Sequence, residues 1–192
     1  MSTPIVAIVG RPNVGKSTLF NRIIRQKKAI VDSKSGITRD RHYAQTDWRG
    51  KPFTLIDTGG YLVHFKDDIE RGIRFQVEEA VDEADLIILL TDVRSGITTT
   101  DKIMSDMLLN SKKPAIAVVN KVDTFKFEGD VGSFISLGMG DPLPVSALQG
   151  RFVGDLLDEI MDNLPDNGRS SLDDASISIA IVGRPNVGKS SI

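Results

Sequence analysis

The sequence contains no cysteine, which excludes disulfides and thiolate metal centres and fits a reducing compartment. It also lacks a charge of one sign. The 24 Lys and Arg against 26 Asp and Glu leave a formal net charge of -2, so no overall positive field marks a nucleic-acid or membrane binder, and any RNA contact must be local. Long apolar runs are missing too. No stretch approaches the ~18 apolar residues of a membrane span, and MSTPIVAIVGRP at the N-terminus has no basic leader region. The expectation is a soluble, cytoplasmic protein with no membrane span. A chain of 192 residues that is 40% hydrophobic can bury one sizeable core and is too short for two full domains.

What is present is a series of short apolar runs: Ile5 to Val9, Phe53 to Ile56, Leu86 to Leu90 and Ala115 to Val119. Runs of this kind suit strands buried on both faces of a parallel sheet. Between them apolar residues recur with helical period, at Leu19, Phe20, Ile23 and Ile24, at Ile73, Val77, Ala80, Val81 and Ala84, and at Ile103, Met104, Met107 and Leu108. The clearest helix carries Val153, Leu156, Leu157, Ile160, Met161 and Leu164 on one face, and Pro165 ends it. Alternating strands and helices predict a three-layer α/β fold. Arg41 to Trp48 alternates in polarity before the turn Arg49-Gly50-Lys51-Pro52, and is read as an antiparallel edge strand.

In open α/β sheets ligands collect at the carboxyl ends of the strands, and polar residues gather there. After Val9 comes Gly10-Arg11-Pro12-Asn13-Val14-Gly15-Lys16-Ser17-Thr18, which matches the G-x-x-x-x-G-K-[ST] pattern between a predicted strand and a predicted helix. Gly10 and Gly15 allow a tight loop whose N–H groups make a nest for phosphate oxygens at the positive end of the following helix. Lys16 can bridge the β- and γ-phosphates and Ser17 can ligate Mg²⁺.

Such a loop does not separate ATP from GTP. Asn120-Lys121-Val122-Asp123 does. The Asp123 carboxylate can accept from the N1–H and the 2-amine of guanine, whereas adenine offers neither, and a buried carboxylate left unpaired costs on the order of several kcal/mol. Asn120 is placed to tie this loop to the phosphate loop, the Lys121 stem to cover the base, and the Ala147 N–H, after Ser146, to reach the guanine O6. Asp57-Thr58-Gly59-Gly60 suits a Mg²⁺ contact from Asp57 through water and a γ-phosphate contact from the Gly60 N–H. Thr38 is placed to bond Mg²⁺ and γ-phosphate only while that phosphate is present, so hydrolysis would release both loops.

These motifs stand in the order and spacing of the small-GTPase superfamily. Ile8-Val9-Gly-Arg-Pro-Asn-Val-Gly-Lys-Ser, Gly36-Ile37-Thr38-Arg39-Asp40-Arg41, Asp57-Thr58-Gly59-Gly60 and Leu137-Gly138-Met139-Gly140-Asp141-Pro142 resemble the first G domain of the bacterial tandem GTPases of the EngA (Der) family. An internal repeat supports the narrower likeness, because Ile179 to Ser190 repeats Val6 to Ser17 almost word for word. The expected organisation is a first G domain at residues 1–165, an acidic and polar linker at 166–177, and the truncated start of a second G domain at 178–192. The second phosphate loop, with Gly183, Asn186, Gly188, Lys189 and Ser190, forms an incomplete site. The resemblance implies the P-loop NTPase three-layer sandwich, with a mostly parallel six-stranded sheet and one antiparallel edge strand. It also implies a switch that binds and hydrolyses GTP in assembly of the large ribosomal subunit. Contacts to the 50S subunit and rRNA would lie mainly in parts outside this sequence, a full second G domain and a KH-like domain. The basic group Arg22, Arg25, Lys27 and Lys28 beside Lys34, Arg39 and Arg41 either meets RNA phosphates or complements the dipole of the first helix.

The residues expected to contact GTP or GDP also include Tyr61, which stands where many GTPases carry the Gln that orients the attacking water. The groups expected to act in catalysis are Lys16, Thr38, Gly60 and Asn13. Related GTPases use an Asn at the position of Asn13 to coordinate K⁺, where it offsets charge on the β-γ bridge; Asn13 can equally serve a turn conformation. Hydrolysis is expected to be slow and K⁺-stimulated. The alternatives are a nucleotide-dependent docking module with little hydrolysis of its own and, less favoured, a P-loop ATPase.

Overall fold

The computed structural model describes residues 3–25, 42–59 and 69–165. The apolar runs form strands where predicted: β1 is Ile5–Val9, β2 His42–Trp48, β3 Lys51–Asp57, β4 Leu86–Asp92, β5 Ala115–Asn120 and β6 Leu143–Pro144. They build one six-stranded sheet in the order β2-β3-β1-β4-β5-β6. Every pairing is parallel except β2 with β3. The predicted edge strand is therefore present. Its turn is tighter than expected, since only Arg49 and Gly50 take positive φ (50° and 79°) and Lys51 already pairs with Trp48. Two consecutive residues at positive φ match the right-handed twist of a hairpin.

Successive residues of a strand point to opposite faces, and continuous apolar runs supply both. Val6, Ile8, Leu86, Ile88 and Leu90 join one buried cluster, while Ala7, Val9, Ile87 and Leu89 join the other. Helix α1 (Lys16–Arg25) and helix α5 (Val153–Asn163) cover the first face with Leu19, Phe20, Ile23, Leu156, Leu157 and Ile160. Helices α2 (Ile69–Glu83) and α3 (Thr99–Ser111) cover the second with Ile73, Val77, Ala80, Met104 and Leu108. These are the three layers expected.

One segment between β5 and β6 was not anticipated as structure. Helix α4 (Phe125–Val131) runs into a 3-10 helix (Gly132–Leu137) whose Phe134 and Leu137 are buried against the second face. Gly138 ends it at φ 74°, a conformation glycine adopts without steric cost. The Ser105 hydroxyl of α3 donates to the Leu137 carbonyl at 2.5 Å. The Leu137-Gly138 part of that motif thus holds packing rather than a ligand.

The hairpin is fastened to the closing helix at its far end. The Trp48 indole N–H donates to Asp158 Oδ1 at 2.5 Å, and Arg49 pairs with Asp158 Oδ2 at 2.7 Å. Among the described residues no helix is long and apolar enough to cross a membrane. Because Leu156 is fully buried between α5 and the sheet, Leu156→Ala is expected to cost about 2–5 kcal/mol of unfolding free energy. Urea denaturation followed by circular dichroism measures it, and a loss below about 1 kcal/mol would contradict this packing.

Candidate functional site

Strand order reverses around β1, since the chain passes from β1 to β2 and β3 on one side and then to β4 on the other. That reversal leaves a crevice at the carboxyl ends of the strands, and the loop from Gly10 to Ser17 lies there. Its two glycines are required. Gly10 has φ 154°, and a Cβ there would stand 2.4 Å from the Leu90 carbonyl oxygen; Gly15 has φ 102°, and a Cβ would stand 2.4 Å from Asn120 Nδ2. Either substitution would push the loop off its neighbours.

Lys16 is nearly fully buried and folds back into the loop. Its ammonium donates to the carbonyls of Gly10 at 2.6 Å and Arg11 at 3.0 Å. Burial lowers its pKa to about 8, against the opposing pull of Asp57, with Arg11 adding a smaller lowering. The Ser17 hydroxyl donates to Asp57 Oδ2 at 2.5 Å, and the other Asp57 oxygen accepts the Gly59 N–H at 2.9 Å. A hydroxyl and a buried carboxylate side by side are hard oxygen donors of the kind Mg²⁺ takes, with its remaining positions left to phosphate and water. The donor set fits the metal expected. Among the described residues no group of three or more His, Cys, Asp or Glu could hold a metal by protein ligands alone.

Asn120 joins three loops. Its Nδ2 donates to the Val14 carbonyl at 2.7 Å and its Oδ1 accepts the Ala147 N–H at 3.0 Å. The predicted tie between specificity loop and phosphate loop is present, and it extends to the loop after β6. The Ala147 N–H expected to reach a base oxygen would have to be shared with Asn120. Lys121, at φ 67°, donates from Nζ to the Asn13 carbonyl at 2.8 Å and to Asp92 Oδ2 at 2.6 Å. The Ser146 hydroxyl donates to Asp123 Oδ1 at 2.6 Å, and Arg94 pairs with Asp123 Oδ2 at 2.5 Å. A cavity of about 230 Å³ opens among Gly15, Thr18, Asn120, Lys121, Asp123 and Leu148, with Arg94 on its wall.

The side chains of several residues expected at the nucleotide are engaged in the framework, which leaves their backbone groups to face the crevice. The Thr58 hydroxyl donates to the Ile8 carbonyl at 2.6 Å and accepts from the buried Gln76 amide at 2.7 Å, so its side chain faces the sheet. The Val14 and Val122 side chains are core. The Arg11 guanidinium reaches Ser95 Oγ and lies 3.4 Å from buried Asp101, tying the loop to the start of α3. The Arg22 guanidinium is engaged with the carbonyls of Ala147, at 2.9 Å, and Leu148, so this member of the basic group buttresses the site. Pro12 and Asn13 are exposed, and Asn13 has φ 66°. Thr38, Gly60, Tyr61, Gly183, Asn186, Gly188, Lys189 and Ser190 lie outside the described residues.

The sequence reading missed a fifth strand-end loop, after β4. Asp92 accepts the Arg94 N–H at 3.0 Å and caps a short 3-10 turn, Val93–Ser95. Its position after a buried apolar run is shared with the other loops, but Asp92-Val93-Arg94-Ser95 has no residue pattern that marks it as a site.

Among curated proteins the chain is 53% identical over 192 residues to the GTPase Der of Lactobacillus helveticus, covering all of this chain and 44% of that protein. It is 49% identical over 189 residues to the GTPase Der of Porphyromonas gingivalis, covering 98% of this chain and 43% of that protein. The chain thus spans less than half the length of these relatives. Among solved structures it is similar to Era in complex with MgGDPNP and nucleotides 1506–1542 of 16S ribosomal RNA, with a TM-score of 0.66 and 28% identity over 91% of this chain and 61% of that one. The G domain of the T. maritima FeoB iron transporter shares the fold, with a TM-score of 0.61 and 24% identity over 84% of this chain and 99% of that one. The family described as 50S ribosome-binding GTPase matches residues 5–121, more than half of the sequence, and the chain belongs to that family.

Proposed function

We propose that the loops from Gly10 to Thr18, Asp57 to Tyr61, Asn120 to Asp123 and Ser146 to Ala147 bind GTP and GDP with Mg²⁺ and hydrolyse GTP. The observation that supports this reading is that Asn120 holds the Gly10–Ser17 loop and the loop carrying Asp123 in one frame. Its amide bonds both Val14 and Ala147, while Asp123 turns toward the adjoining cavity. Ser17 and Asp57, the latter through water, would hold Mg²⁺ together with Thr38. Held there, Mg²⁺ would supply positive charge against the phosphates. Lys16 would give up its loop carbonyls for phosphate oxygens, and the Gly60 N–H would meet the γ-phosphate. Asn13, with Tyr61 where an orienting Gln is usual, would offer an amide oxygen to K⁺.

Residues 1–165 are read as the first of two G domains, with a linker at 166–177 and a second domain beginning at 178. The repeated phosphate loop from Ile179 to Ser190 supports that division, as does the greater length of the Der relatives. The whole protein would act on the large ribosomal subunit in the cytoplasm, with rRNA contacts mainly outside this chain. The family's description supports the ribosomal partner.

Three outcomes test this reading. Asp123→Asn should shift preference from GTP to XTP, because the xanthine C2 carbonyl needs a donor; competition binding that still favours GTP would remove Asp123 from base recognition. Phosphate oxygens favour the ammonium form of Lys16, whose pKa is lowered to about 8. Nucleotide binding should then raise that pKa, so affinity falls as pH rises above about 8 and binding there takes up protons. Calorimetry in two buffers of different ionisation enthalpy reads this, and zero uptake contradicts it. Single-turnover hydrolysis should be slow and faster in KCl than in matched NaCl. Equal rates would exclude K⁺ assistance, and no turnover in either salt would favour the docking-module alternative.

A further inference from the structure

Arg94 stands on the carboxylate that reads the base, so any role for it in nucleotide entry rests on the guanine-binding role proposed for Asp123. Both Asp123 oxygens are engaged, Oδ1 by the Ser146 hydroxyl at 2.6 Å and Oδ2 by Arg94 Nη2 at 2.5 Å. Arg94 also lies on the wall of the cavity that Asp123 faces. A guanidinium presents parallel N–H donors in a fixed plane that matches a carboxylate. The N1–H and 2-amine edge of guanine presents the same pair.

The two cations beside this cavity are held very differently. Lys121 has two anchors, the Asn13 carbonyl and Asp92 Oδ2, and its side chain is 30% exposed. The Arg94 side chain is 55% exposed, against 11% for that of Asp123, and Asp123 is its ion-pair partner. Its backbone is fixed by Asp92, which accepts the Arg94 N–H, so the side chain can move without the loop. In the same conformation the guanidinium carbon lies 6.0 Å from the centroid of the Phe127 ring, a weak cation-π contact that the side chain can keep when it leaves Asp123.

We propose that Arg94 is an internal competitor for the guanine site: one N–H of its guanidinium occupies the Asp123 oxygen, Oδ2, that a guanine N–H would need, and an entering base must displace it. A half-exposed pair is weak and screened by solvent, so the displacement is easy and the competition modest. Competition of this kind slows association and leaves dissociation alone, because Arg94 has already left Asp123 in the bound complex. The contrary role, orienting Asp123 for the base, has the opposite sign, since losing Arg94 would then weaken binding.

Stopped-flow binding of a fluorescent GDP analogue to the 192-residue chain separates the two. Arg94→Ala and Arg94→Gln are expected to tighten binding by about two- to fivefold, through faster association with an unchanged dissociation rate. Unchanged or weaker binding in both variants, or a gain carried by slower dissociation, overturns the proposal. Asp123→Asn is measured in parallel against GDP and XDP. If it switches to XDP while the Arg94 variants bind GDP no tighter, only the competitor role fails; if it keeps GDP, base recognition by Asp123 and the competitor role fail together.

Discussion

The Asn120 side chain is the interaction on which the rest of the site depends. One buried amide, donating to Val14 and accepting from Ala147, joins loops that follow β1, β5 and β6. No other residue type of that size offers a donor and an acceptor in one plane. An aspartate would set a carboxylate against the Val14 carbonyl, and a leucine would leave two buried backbone groups without partners, at about 1–3 kcal/mol each. The close approach of Asn120 explains why Gly15 must lack a side chain. The clamp and the glycine are one constraint seen from two sides.

Around this clamp, the cations of the strand-end loops are held by protein oxygens. Lys16 rests on two loop carbonyls, Lys121 on Asp92 and Asn13, Arg94 on Asp123, and Arg11 beside Asp101. Such pairing limits self-repulsion where positive groups crowd together, while the burial that accompanies it is visible in the lowered pKa of Lys16. An anion that took the Lys16 ammonium would have to compete with two carbonyls already bonded to it. Arg22, from the exposed side of α1, completes the frame by holding the Ala147 and Leu148 carbonyls.

The sheet was legible because four of its strands are continuous or nearly continuous apolar runs, broken only by Thr54 in β3, and α5 because its apolar stripe is unbroken. The segment from Phe125 to Leu137 was not. Its α-helix is only seven residues long and contains Gly129, with Gly132 following at once, so neither period nor propensity declares it. The phosphate and base loops were legible because each needs particular residue types at particular spacings. Asp92 and Arg94 follow no such pattern, and their importance arises from β4 lying between β1 and β5. Arg22 was read as part of a basic surface group because its partners are distant in sequence, and only folding brings their carbonyls to it.

The single tryptophan of the chain lies on the hairpin, where Trp48 pairs with Lys51 at the start of β3 while Asp57 stands at that strand's other end. The seven-residue length of β3 lies between the indole and the Asp57 carboxylate, about 20 Å. Its hydrogen bond to Asp158 spans the sheet edge and the last helix of the described domain. The molecule therefore carries its own optical probe at the end remote from the chemistry. Its packing against α5 makes its emission an expected reporter of the docking of that helix on the sheet.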